Sequence, residues 1–198
     1  MHHVTVIGSG NSVSNATKTI VIGDNRNLDT VTGAVVIGNA TTATPVKAAN
    51  YSVTIGSNSL ATVQSGVAIG NTAASSGSNA IAVGTNSKAA MLNTVAIGNT
   101  ASASYMGGVA LGNAANSTGT NATAIGSTAT ASGSNAIAMG TNSKAATLNT
   151  VAIGNTATAT SMGGVAIGNT STTSSANATA VGTNTMAKGA SSVAIGNN

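Results

Sequence analysis

The sequence predicts an all-β chain, a parallel β-solenoid with about fourteen residues per coil. Three observations point there. A glycine closing a Val/Ile/Ala-rich step recurs at Gly8, Gly23, Gly38 and Gly56, and then at an unchanging 14-residue step, ten times over, to Gly196. Unbroken repetition at a fixed short period is the mark of a stacked repeat architecture. The residues before each glycine alternate in size with period two, as in a β-strand. Finally, the composition cannot build a conventional core. The 198 residues are 4% charged, with no Phe or Trp, and much of the 41% hydrophobic share is Ala. Small side chains bury little area each, so a thin structure that buries them many times over fits best.

Residues 1–198 read as one β-roll domain, with irregular coils over 1–55 and regular 14-residue coils over 56–198. The first strand of each coil is the step before the glycine, for example Val67-Ala68-Ile69 and Val151-Ala152-Ile153. Its β-branched residues favour a strand. The large residues share one face and Ala the other. We expect Val67, Ile69, Val95, Ile97, Val109, Leu111, Ile137, Val151, Ile153, Val165 and Ile167 to fill the roll core. The glycine and the following Asn or Thr make one turn. The second strand is short; in NTATATS, Ala157 and Ala159 alternate with Thr156, Thr158 and Thr160, so small residues face one way and hydroxyls the other. Turns such as GSN at 133–135 close the coil. On this reading large first-strand residues meet small second-strand ones inside.

That assignment leaves the Ala strip outside. Ala68, Ala82, Ala96, Ala110, Ala124, Ala138, Ala152, Ala166, Ala180 and Ala194 are invariant across ten coils. Solvent alone would not demand such uniformity, so the strip is expected to pack against another copy. A slim coil buries little by itself, and self-association supplies the rest. A longer period lies on top: residues 84–113 and 140–169 agree at 25 of 30 positions, a duplicated block of four coils.

Chemistry is mostly excluded. Catalysis by proton transfer needs positioned titratable groups, and His2, His3, Asp24 and Asp29 all lie in the first thirty residues. Ser and Thr are abundant, but no base accompanies them. The chain is expected to have no enzymatic activity, no cofactor and no metal. Two carboxylates in GDNRNLDT suit a turn better than a calcium site. Cysteine is absent, which removes disulfides and thiolate metal sites. The net charge of +4 comes from scattered bases, not a patch, and nucleic-acid binding would want clustered bases with aromatics. No apolar run is long enough to enter a membrane. Irregular places are the candidates for ligand contact: Lys47 and Tyr51 in the insertion over 39–55, which also holds Pro45, together with Lys88, Lys144 and Tyr105 on the regular coils. Outward Thr rows such as Thr156/Thr158/Thr160 also raise ice binding as a minor alternative, although Lys88 and Lys144 interrupt them.

NAIAVG at 79–84, NAIAMG at 135–140, ASSVAIG at 190–196 and the long stretch NTVAIGNTATATSMGGVAIGNT at 149–170 resemble the head repeats of YadA-like trimeric autotransporter adhesins. The likeness is tight over 56–198 and loose over 1–55. It implies a left-handed parallel β-roll, a homotrimer, and a non-catalytic head that attaches to an extracellular matrix protein or surface glycan at the bacterial cell surface. The sequence shows no neck, heptad stalk or membrane-anchor barrel, and similar repeats occur in bacteriophage fibre proteins. A virion fibre is therefore the alternative expectation.

Overall fold

A computed structural model of the chain describes residues 3–41 and 48–197. All their regular structure is β-strand. They fall into two compact units, Met1–Thr100 and Ala101–Asn198. In the first unit, Val4–Ile7, Thr19–Ile22, Val35–Ile37, Val53–Ile55, Val67–Ile69, Ile81–Val83 and Val95–Ile97 form a parallel sheet, each strand one coil from the next. Shorter strands, Leu60–Ala61, Ala74–Ser75 and Lys88–Ala89, pair in a second parallel ladder. The second unit repeats the plan. Its longer strands run from Val109–Leu111 to Val193–Ile195, and its two-residue strands from Ser102–Ala103 to Met186–Ala187. Every rung there joins equivalent residues of successive coils, as in Ala138 beside Ala152. This is the parallel β-solenoid that the glycine spacing predicts.

Glycine is obligatory where each longer strand ends. Gly154 has φ +135°, and a Cβ there would sit 2.3 Å from the carbonyl oxygen of Gly168 in the following coil. Two backbones touch at this corner, and only glycine permits it. The second and ninth residues after the glycine take φ near +55° in coil after coil, as at Asn142 and Asn149. Asn tolerates that conformation better than most residues. Thr is costlier there, but Thr72 and Thr128 each donate a side-chain hydrogen bond to the Asn one coil on, Asn86 and Asn142.

Packing reverses one expectation. The Ala strip from Ala68 to Ala180 is 0% exposed within the single chain, and Ala194 in the last coil is half-buried. These residues point into the roll, where Ala152 packs in one cluster with Ala145, Ala157 and Ala159. The residues expected as roll core (Val67, Ile69, Val95, Ile97, Val109, Leu111, Ile137, Val151, Ile153, Val165 and Ile167) point outward and are half-buried or exposed. The reason is width. A 14-residue coil spends most of its length on turns, and the lumen between its two short strands holds only Ala, Ser, Thr or Gly. Coil length sets that width: in the 15-residue coils Val21, Leu28 and Val36 are buried in the interior instead.

Inside the roll, volumes compensate between neighbouring coils. Where the short strand turns a hydroxyl inward, at Ser75, Ser117 and Thr173, the preceding coil has glycine across from it, at Gly66, Gly108 and Gly164. A Cβ on Gly66 would lie 2.9 Å from Ser75 Oγ. Where the short strand has Ala, the equivalent position of the preceding coil carries a side chain: Ala80, Ala136 and Ala178 before Ala89, Ala145 and Ala187, and Thr94 and Thr150 before Ala103 and Ala159. Gly66→Ala is therefore expected to destabilise the roll by about 1–3 kcal/mol through overpacking. Adding Ser75→Ala should recover most of the loss, because the Ser75 hydroxyl bonds the Ala80 carbonyl, which also accepts from Val67 N. Thermal denaturation of both single variants and the double variant measures the coupling.

Candidate interaction surface

The two faces that the strands turn outward differ in character. On the longer-strand sheet of the second unit, the outward pairs are Val109/Leu111, Thr123/Ile125, Ile137/Met139, Val151/Ile153, Val165/Ile167, Thr179/Val181 and Val193/Ile195. None carries a charge, and only two positions are Thr. Ile137, Met139 and Ile167 are exposed, and in the last coil Val193 and Ile195 reach 66% and 77%. The first unit shows the same face with Ile20, Ile22, Val67, Ile69, Ile81, Val83, Val95 and Ile97. Each side chain is covered in part by the equivalent residue one coil away, which leaves an apolar strip running along the sheet.

The short-strand side is polar. Its outward residues in the second unit are Ser102, Asn116, Thr130, Lys144, Thr158 and Thr172, with Met186 as the one apolar exception. Four hydroxyls, one amide and one cation make this face largely one that water satisfies. Continuous apolar patches on soluble proteins mark places where something else binds. The sheet face carrying Val and Ile is therefore the candidate for contact between copies, and the Ala strip is not, because it is already inside.

The candidate ligand residues are scattered. Lys88 and Lys144 are exposed on the outer side of the short strands. Tyr105 is exposed at a turn. Tyr51 is exposed with φ +57°, its ring lying over Gly33, where a Cβ would come 2.8 Å from it. Lys47 and Pro45 lie outside the described residues. Among the described ones, Tyr51 and Lys88 in the first unit, and Tyr105 and Lys144 in the second, are separated by two intervening coils within each unit. Turn corners add exposed apolar side chains, Met106 and Met162, and Leu148, which the sequence pattern did not single out. All three fall at the same place, eight past a coil glycine.

The two carboxylates are structural. Asp24 Oδ1 accepts from Ser9 N at 2.7 Å and from Ser9 Oγ at 3.0 Å. The backbone bond first, and then the hydroxyl, hold its pKa below the usual carboxylate range. Asp29 Oδ1 accepts from Ser14 Oγ at 2.6 Å and Asn15 Nδ2 at 3.2 Å. Each ties its coil to the one before it. Among the described residues no group of three or more His, Cys, Asp or Glu is placed to hold a metal ion.

A repeat-built β-roll with one apolar and one polar outer face is an interaction module. The family model for the YadA head domain repeat (2 copies) matches residues 64–87, 89–115, 117–143, 148–171 and 174–198. Together these cover well over half of the chain, and the protein belongs to that family. The family is a non-enzymatic, adhesin-type head domain, consistent with surface exposure and self-association. No curated protein matches the chain.

Proposed function

We propose that this chain is the head of a trimeric surface adhesin, a rigid element that attaches its bearer to an extracellular matrix protein or a surface glycan. The observation that carries the reading is the uncharged Val/Ile face of the longer-strand sheet, repeated coil after coil. Three rolls packed on that face would remove it from water at about 25 cal/mol per Å² of apolar area. The same packing turns the polar short-strand faces and the turn corners outward. Each outward feature then appears three times, so weak contacts gain avidity. Hydroxyl- and amide-rich surfaces suit hydrogen bonding to polar receptors.

Adhesion is tested by coating beads with the protein and passing them over matrix proteins, host cells and glycan-coated surfaces. Retention on one of these surfaces, lost when the outward polar residues are scrambled, is the expected result. Beads that no surface retains above the scrambled control would make the roll a spacer or coat.

A further inference from the structure

We propose that Thr123 and Thr179 fix the height at which neighbouring copies meet, a role that rests on the proposed packing of copies on the Val/Ile face. Both threonines stand on that face of the second unit, four coils apart and at equivalent places in Thr123–Ile125 and Thr179–Val181. Every other outward residue of the longer strands from Val109 to Ile195 is Val, Ile, Leu or Met.

The roll itself does not call for a hydroxyl at either place. Thr123 lies between Val109 and Ile137 in the sheet, and Thr179 between Val165 and Val193. Val has nearly the shape of Thr and suits a strand as well. Other threonines of the unit spend their hydroxyls inside the chain: Thr150 Oγ1 donates to Thr147 O at 2.6 Å, and Thr158 Oγ1 to Thr156 O at 3.2 Å. The hydroxyls of Thr123 and Thr179 bond to no described residue, although both side chains are half-buried between aliphatic neighbours.

An apolar seam carries little information about height. Its rows recur at every coil, about 4.8 Å apart, and apolar attraction is non-directional. A copy displaced by one coil would still set Val and Ile against Val and Ile. The two hydroxyls break that degeneracy. Rotation about a threefold axis leaves height unchanged, so the three Thr123 residues fall on one level and the three Thr179 residues on another. A hydroxyl both donates and accepts, so three on one level can each donate to the next. After a one-coil displacement each Thr stands level with Val or Ile of its neighbours. A hydroxyl enclosed there without a partner is costly. A four-coil displacement brings Thr123 level with Thr179 but leaves four coils of the face uncovered. A single polar residue in an otherwise apolar coiled-coil seam sets register by the same physics.

The test reads the height directly. The chain has no cysteine, so Ser132→Cys and Lys188→Cys can each carry one label. Both sites are exposed, and each directly follows a short strand, four coils apart in the same unit. Copies with a nitroxide at the first site and copies with a gadolinium chelate at the second are assembled together. Pulsed dipolar spectroscopy then measures the distance between labels on different copies. Its axial part is about 19 Å in register and about 14 or 24 Å after a one-coil slip. With both threonines in place, a single distance is expected. Thr123→Val with Thr179→Val should keep the β signal and the assembled mass. It should also raise the displaced assemblies by roughly tenfold or more, because unpaired buried hydroxyls no longer penalise them. Thr123→Ser with Thr179→Ser should keep the single distance. A valine variant that assembles with its distance unchanged, or that no longer assembles, overturns the role in register while leaving the packing face standing. An unmodified protein that sediments as one chain and gives no distance between copies overturns both.

Discussion

A chain carrying Ala110→Arg and Ala152→Arg is expected not to fold. Both alanines are 0% exposed inside the roll, and Ala152 has Ala138 and Ala166 directly above and below it in the sheet. No rotamer takes a guanidinium out of that lumen without opening the coil. Overpacking alone costs about 1–3 kcal/mol per site, and an unpaired buried charge adds several more. Two such sites exceed the roughly 5–15 kcal/mol that holds a typical domain together. Circular dichroism should show the β signal lost. Had the Ala strip been the contact between copies, the same variant would give separated but fully rolled chains. The two outcomes differ in secondary structure, not only in mass.

The opposite behaviour is expected from Ile153→Asp with Ile167→Asp. Both side chains point outward, and Ile167 is exposed in the single chain. An Asp there stays in water while the chain is alone, at a cost in strand propensity of up to about 1 kcal/mol per site. In an assembly packed on the Val/Ile face, the same carboxylates would be buried together with like charges from the other copies. That is costly twice over, through desolvation and through repulsion. The variant should therefore keep its β signal and lose its assembly, with a lower thermal midpoint because the apolar strip remains in water.

The architecture was legible in the sequence because it rests on short-range necessities. Glycine at every coil corner is forced by backbone contact, as at Gly154 over Gly168, and it prints the period directly. The inward turn of Ala157 and Ala159 on the short strand also followed from alternation, and both are buried. Alternation alone does not say which face is inside. The large residues of the longer strand were expected there by analogy with ordinary cores, and the narrow lumen excludes them. A cue was present along one column of the sheet, Val21, Val36, Thr54 and Ala68. Its residues shrink where the wider early coils give way to the regular ones, as an interior position would and an outer one need not.

Sedimentation equilibrium of the unmodified protein beside the Ile153→Asp/Ile167→Asp variant tests the central claim, that copies meet on the Val/Ile face as a trimer, most directly. The unmodified protein is expected to sediment as three chain masses of 18.6 kDa each and the variant as a single chain mass. An unmodified protein that sediments as one chain, or a variant that still sediments as three, would contradict it.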